Sequence, residues 1–172
     1  MATDLPPAFE RKIREPSPGD ALMAHVRTLP RPLVFTNGVF DVLHRGHVTY
    51  LAQARAHGAS LLVALNTDAS TRRLGKGSDR PINRLEDRAA VIASLEAVSA
   101  VTWFDEDTPL ALIRLLRPDV LIKGGDWPLQ AIVGASEVSG WGGSVHSIPF
   151  LHQKSTTALL DAIRKSTIKT NT

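Results

Sequence analysis

No cysteine occurs among the 172 residues of the chain. Disulfides, thiolate nucleophiles and cysteine-ligated zinc are therefore excluded. No apolar run in the sequence approaches the ~18 residues that a membrane-spanning helix needs. The first twenty residues carry prolines and acids where a signal peptide would need an apolar core, so we expect a cytoplasmic protein without a membrane partner.

The sequence also lacks a polybasic run. Lys and Arg total 20 against 17 Asp and Glu, which gives a formal net charge of +3. This mild excess suits an anionic ligand and does not indicate nucleic acid as a partner. Hydrophobic residues make up 43% of the chain and charged residues 22%, as is typical of one globular domain.

Short apolar segments alternate with helical patterns along most of the chain. Residues 1–31 are rich in proline and charge and predict an N-terminal helical arm, whereas residues 32–172 predict the main domain. Within that domain the patterns predict five strands and four helices: strands 33–36, 60–65, 100–103, 120–122 and 144–148, and helices 47–57, 85–98, 109–116 and 155–165. This alternation predicts an α/β fold, a Rossmann-like open parallel five-stranded sheet with helices on both faces.

Polar clusters follow the predicted strands, at the edge where parallel sheets bind their ligands. They are residues 37–47, 66–68, 123–126 and, some residues after the last strand, 154–157. Because the carboxyl ends of all parallel strands lie on one edge, we expect these four clusters to converge on one site.

The segment GVFDVLHRGH, residues 38–47, brings His44 and His47 to the start of a predicted helix. Free N–H groups and the helix dipole favour an anion there, and each imidazole offers an N–H donor. Such donors could stabilise charge that builds up on phosphate oxygens during transfer. A metal site of Asp41, His44 and His47 and simple capping of the helix remain as alternatives.

The stretch TNGVFDVLHRGHVTYL resembles the signature of the cytidylyltransferase-like nucleotidyltransferase superfamily. The later stretches LNTDASTRRLGKGSDRPINRLEDRAAVIASLEAV, FDEDTPLALIRLLRPDVLIKGGDW and KSTT resemble the adenylyltransferases of ADP-heptose synthesis. The resemblance implies transfer of AMP from ATP to D-glycero-β-D-manno-heptose 1-phosphate, for the inner core of lipopolysaccharide. It also implies Mg²⁺ held mainly by the ATP phosphates, no dedicated metal ligands in the protein, and a homodimer.

The resemblance places His44, His47 and Lys123 in catalytic roles. It implies ATP binding by a larger set: Thr36, Asn37, Gly38, Phe40, Gly46, Lys76, Arg80, Gly124, Gly125, Asp126, Ser155, Thr156 and Thr157.

Several of these residues also have a plainer interpretation. Lys76 and Arg80 lie on a Gly-rich loop that could close over phosphates or be a solvated charged loop. Residues 155–157 could cap the last helix, bind phosphates, or do both. Trp127 could pack against the base of the nucleotide or cover the core. Residues 105–108 could bind sugar hydroxyls or simply begin a helix.

The expected reaction needs no nucleophilic side chain, because the attacking sugar phosphate is already an anion at neutral pH. Other activities remain open. One is a related transferase, such as a glycerol-3-phosphate cytidylyltransferase; others are a non-catalytic nucleotide-binding module and a metal-dependent hydrolase.

Overall fold

A computed structural model gives the fold and describes residues 6–16, 21–75, 79–152, 156, 159, 162 and 163. Strands and α-helices alternate along the main part of the chain, after a 3₁₀ helix at Ala8–Lys12. Their bounds are α1 Ala21–Thr28, β1 Leu33–Gly38, α2 Arg45–Arg55, β2 Ser60–Asn66, α3 Asp68–Arg73, α4 Leu85–Ala93, β3 Ala100–Phe104, α5 Leu110–Leu116, β4 Val120–Gly124, α6 Ala135–Gly140 and β5 Ser144–Ile148. A second 3₁₀ helix spans Leu129–Ala131.

The five strands form one parallel sheet in the order β3-β2-β1-β4-β5. The predicted α/β fold is therefore confirmed. The strand order reverses between β1 and β4, and in open α/β sheets the crevice at this reversal is where ligands bind.

Both faces of the sheet are buried. Val34 in β1 belongs to one hydrophobic core, to which α2 and α4 contribute, while its neighbour Phe35 belongs to a second core with α1, α5 and α6. Successive strand residues point to opposite faces, so a strand covered on both sides is apolar without interruption. This explains why apolar runs, and not alternating patterns, marked the strands in the sequence.

The N-terminal region packs against this sheet. Ile13 forms an isolated parallel bridge with Val101 at the β3 edge, and the Arg14 N–H donates to the Val101 carbonyl at 2.9 Å. From α1, Leu22 and Val26 are buried in the second core. The described part of residues 1–31 therefore contributes side chains to the cores and covers one edge of the sheet.

Some elements differ from the prediction. Helices α3 and α6 were not predicted, because both are six residues long and rich in polar or small residues. The predicted helix 85–98 ends at Ala93, where the Ser94 hydroxyl donates to the Val91 carbonyl at 2.7 Å and competes with continued helix. Among the described residues, no helix has both the length and the apolar character to cross a membrane.

Candidate functional site

A pocket of about 670 Å³ opens where β1 and β4 separate at their carboxyl ends. The pairing of these two strands covers only Val34 with Val120 and Phe35 with Leu121. The last residues of each strand therefore diverge, and Asn37, Gly38, Lys123 and Gly124 line the opening.

The side chain of Tyr50 bridges the two strands where they separate. Its hydroxyl lies 2.6 Å from Thr36 Oγ1 on β1 and donates at 3.4 Å to the Ile122 carbonyl on β4. Burial raises the pKa of Tyr50 far above its ordinary value, so the hydroxyl stays protonated and neutral. Tyr50 follows His47 by three residues on α2, so both side chains point to the same wall of the pocket.

His44 and His47 form a stacked pair in the pocket wall at the N-terminal end of α2. Their ring centroids are 3.8 Å apart with an interplanar angle of 19°. Phe40, which takes the left-handed backbone conformation with φ at +47°, sets its ring edge-on to His47 with a centroid distance of 5.2 Å. A Cβ at Gly46 would lie 3.0 Å from the His44 ring, so glycine leaves room for that ring.

Burial, followed by the neighbouring His44, lowers the pKa of His47 to about 4, against a weaker opposing effect of a hydrogen bond to the Val42 backbone. At neutral pH His47 is therefore uncharged, with one ring N–H to donate. An anion entering the pocket would favour the protonated form and raise this pKa.

Across the pocket, β4 ends in Lys123 and Gly124, and Gly125 follows. A Cβ at Gly124 would come within 2.7 Å of the Phe150 ring, and Gly125 has φ at +111°. Trp127 is 49% exposed and is held by hydrogen bonds from its backbone N–H to Ser147 Oγ at 3.0 Å and from its ring N–H to the Gly124 carbonyl at 3.1 Å. Its exposure favours a role in the pocket wall over one in the core.

The predicted site residues fall into three groups. Ten of them line the pocket: Asn37, Gly38, Phe40, His44, His47, Arg80, Lys123, Gly124, Gly125 and Thr156. Thr36 is fully buried behind Tyr50, Gly46 lies beneath the His44 ring, and Asp126 is exposed outside the lining. Lys76, Ser155 and Thr157 lie outside the described residues.

Sequence reasoning missed two aromatic residues of the pocket, Tyr50 and Phe150. Tyr50 carried a usable signal, because it lies one helical turn after His47. Phe150 also carried one, since it follows β5 at the sheet edge where the other clusters lie.

A second pocket of about 310 Å³ adjoins the first and shares Asn37, Gly38, Val39, Lys123 and Trp127 with it. Its other polar lining residues are Asn66, Asp107 and Thr108. Part of the predicted 105–108 segment therefore faces this pocket.

A hydrogen-bond network fixes this wall of the second pocket. Arg73 of α3 donates from Nε to Asp107 Oδ1 at 2.9 Å, and Thr67 donates to Asp105. The Ser70 hydroxyl donates to the Glu106 carbonyl and accepts from the Asn66 amide, each at 3.0 Å. The short helix α3 thereby braces the segment that carries Asp107.

The cytidylyltransferase-like family model matches residues 35–170 of the chain. The chain belongs to this family, which confirms the resemblance identified from the motifs. It is 58% identical over 157 residues to the D-beta-D-heptose 1-phosphate adenylyltransferase of Bordetella bronchiseptica, with 91% of this chain and 96% of that protein covered.

The chain is also 54% identical over 137 residues to the Bifunctional protein HldE of Hahella chejuensis, covering 80% of this chain and 28% of that protein. Among solved structures it resembles a lipopolysaccharide core biosynthesis protein from Thermoplasma volcanium, with a TM-score of 0.57, 27% identity, and 71% of this chain and 98% of that chain covered. Pantothenate synthetase from Thermus thermophilus shares the fold, with a TM-score of 0.53 and 17% identity over 79% of this chain and 61% of that one.

Proposed function

We propose that this protein transfers AMP from ATP to D-glycero-β-D-manno-heptose 1-phosphate, giving ADP-heptose and pyrophosphate for the lipopolysaccharide inner core. The observation that carries the proposal is a pair of adjoining pockets that share Lys123, with stacked His44 and His47 in the wall of the larger one. The high identity to a relative named for heptose 1-phosphate supports the choice of acceptor.

The larger pocket suits ATP. Its polar lining combines two imidazoles, Lys123 and Arg80, which can donate to the triphosphate. On the β4 side, the exposed faces of Trp127 and Phe150 offer aromatic surface for a base, and the glycines between them allow close approach to the backbone.

The smaller pocket suits the sugar phosphate. The Asn66 amide, the Asp107 carboxylate and the Thr108 hydroxyl can exchange hydrogen bonds with sugar hydroxyls. Lys123 lies at the boundary of the two pockets, where the acceptor phosphate would meet the α-phosphate of ATP.

In the proposed reaction an oxygen of the sugar 1-phosphate attacks the α-phosphorus of ATP. The bond from that phosphorus to the bridging oxygen breaks, and pyrophosphate leaves with the electron pair. His44, His47 and Lys123 would position the phosphates and stabilise the charge that develops on their oxygens. No side chain has to accept a proton from the nucleophile, which is already ionised.

Mg²⁺ would enter with the triphosphate and help to neutralise it. The part of the chain that the structure describes has no group of three or more His, Cys, Asp or Glu that could hold a metal ion. In this proposal phosphate oxygens and water supply most of its ligands, as is common for this ion.

Two contacts argue against the hydrolase that uses Asp41 as a metal ligand. Asp41 Oδ2 lies 2.6 Å from Arg80 Nε, and Asp41 Oδ1 accepts the Asn83 N–H at 2.9 Å. A carboxylate already held by a cation and a backbone N–H is poorly placed to bind a metal together with the histidines. We therefore favour phosphate as the ligand of the histidine pair.

The proposal is tested by measuring pyrophosphate release with ATP or CTP, each with heptose 1-phosphate or glycerol 3-phosphate, and by identifying the product by mass spectrometry. We expect turnover with ATP and heptose 1-phosphate. Heptose 7-phosphate is the matched control, because it keeps the sugar and the charge but lacks the anomeric phosphate.

Turnover of CTP with glycerol 3-phosphate would instead support the related cytidylyltransferase. Tight ATP binding without pyrophosphate release from any pair would support a non-catalytic module. The homodimer and the cytoplasmic location stay predictions.

A further inference from the structure

Asp41 is buried three residues before His44 and has several partners. Its Oδ2 lies 2.6 Å from Arg80 Nε and accepts the Ile82 N–H at 3.0 Å, while Oδ1 accepts the Asn83 N–H at 2.9 Å. In return, the Asn83 side-chain amide donates to the Asp41 carbonyl at 2.6 Å. Asp41 therefore joins the loop with the two histidines to the segment 80–83.

Arg80 is the cation in this arrangement, and it also lines the larger pocket. Its side chain is 9% exposed and that of Asp41 is fully buried. The Nε atom approaches the carboxylate but is out of line for a hydrogen bond, so the contact is an ion pair. Among the described residues, the Nη groups of Arg80 have no hydrogen-bond partner, so they are available to an anion in the pocket.

The backbone near Asn83 has a second anchor that does not involve Asp41. Arg88, which is 1% exposed, donates to the Asn83 carbonyl at 3.1 Å, to the Val39 carbonyl at 2.8 Å and to Asp68 Oδ1 at 2.7 Å. Arg88 holds Asn83 beside the end of β1. Neutralising Asp41 therefore leaves this anchor of the Asn83 backbone in place. Among the described residues only Asp41 forms an ion pair with the Arg80 guanidinium, so its effect on Arg80 has no substitute there.

We propose that Asp41 is a positioning residue that fixes the Arg80 guanidinium in the pocket wall, with its Nη groups aimed at the triphosphate. This inference rests on the proposed function for the identity of the anion. An arginine can pair with a carboxylate and bind a phosphate at the same time, because its planar guanidinium carries five N–H donors. One edge of the guanidinium can face Asp41 while the other faces phosphate oxygens. Asp41 lies in the lining of the larger pocket, but its side chain is fully buried, so it acts on the reaction through Arg80.

A double-mutant cycle tests this role with Asp41→Asn, Arg80→Gln and the pair combined. The readouts are the KM for ATP and kcat from pyrophosphate release, the Kd for a non-hydrolysable ATP analogue, and the melting temperature of each variant. We expect Arg80→Gln and Asp41→Asn each to raise the KM for ATP about 10-fold or more, because each removes or misdirects a charge-assisted contact. In the Arg80→Gln background, Asp41→Asn should change the KM less than about 2-fold.

Two results overturn the proposal. One is an Asp41→Asn effect on KM that is as large without Arg80 as with it, since Asp41 would then act on the backbone alone. The other is an Arg80→Gln variant with the wild-type KM and Kd for ATP.

The variant Asp41→Asn could fail to fold, because Asn cannot accept both backbone N–H groups. A further variant, Arg80→Lys, covers this case. Arg80→Lys keeps the positive charge and the ion pair but loses the fork. We expect its KM for ATP to lie nearer to that of Arg80→Gln than to that of the wild type, and a wild-type KM would contradict the proposal.

The matched control is the exposed ion pair of Arg114 and Glu137, whose atoms lie 2.7 Å apart away from both pockets. Neutralising it with Arg114→Gln and Glu137→Gln should leave the KM for ATP unchanged. If the wild type binds ATP but releases no pyrophosphate, the proposed function fails, while the cycle measured on the Kd of the ATP analogue still decides the role of Asp41.

Discussion

Two histidine pairs lie at opposite ends of helix α2, and they show what makes one pair a site. At the N-terminal end His44 and His47 stack with their ring centroids 3.8 Å apart. His57 lies just after the C-terminal end, and its ring centroid is 4.6 Å from that of His146 on β5. In both pairs burial, followed by the ring of the neighbouring histidine, lowers a pKa, that of His47 in the first pair and that of His146 in the second. Proximity of two imidazoles is therefore not the distinguishing property.

The surroundings differ. The first pair faces a large pocket at the positive end of the helix dipole, and Lys123 and Arg80 line the same pocket. The second pair is at the negative end of the dipole, His57 is exposed, and neither ring is among the described residues that line the two pockets. The helix dipole and these two cations would favour an anion at the first pair, whereas the second pair has none of these features.

The largest expected effect comes from removing either ring of the first pair. His44→Ala or His47→Ala should lower kcat roughly 100-fold or more, because each removes a preorganised donor to the developing charge. ATP binding should weaken much less, as measured by titration calorimetry. The control is His146→Ala, and near-normal pyrophosphate release from either pocket variant would contradict a catalytic role.

The titration of His47 gives a second test of the first pair. His47, with a pKa of about 4 in the folded protein against 6.5 in the unfolded chain, stays neutral in the folded state where the unfolded chain binds a proton. Its contribution to the free energy of unfolding is therefore complete above about pH 6.5 and falls as the pH drops toward 4.

Histidine resonances followed by NMR between pH 3 and 8 test this directly. The His47 midpoint should lie near 4, rise in the His44→Ala variant, and rise when an ATP analogue fills the pocket. A His47 midpoint near the ordinary value would remove the buried, neutral imidazole from the mechanism.

The contrast also shows how far the sequence could predict this site. The strands were recognisable because residues such as Val34 and Phe35 are buried on opposite faces and leave apolar runs. Because the predicted strands are parallel, the polar residues that follow them, such as Asn37, His47 and Lys123, are expected at the same edge of the sheet. The resemblance to a known family then gave these residues roles.

What the sequence could not predict was which way particular side chains point. Thr36 lies in the matched motif, but in the strand it faces Tyr50 instead of the pocket. Gly46 serves the packing of the His44 ring, and the second pocket depends on α3, which has no apolar periodicity to reveal it. The Asp41–Arg80 pair joins residues 39 positions apart, and no local pattern encodes such a distant contact.

The smallest expected effect comes from the surface pair. His57→Ala and His146→Ala should leave kcat and the KM for ATP within about 2-fold of the wild type, and at pH 8 they should change the free energy of unfolding by less than about 0.5 kcal/mol. Because burial and His57 lower the pKa of His146, protonation of His146 disfavours the folded state as the pH falls below 6.5. His146→Ala should therefore gain stability relative to the wild type when urea unfolding is measured at pH 5 instead of pH 8. A 10-fold loss of turnover in either variant would show that the two ends of α2 are not as different as their surroundings indicate.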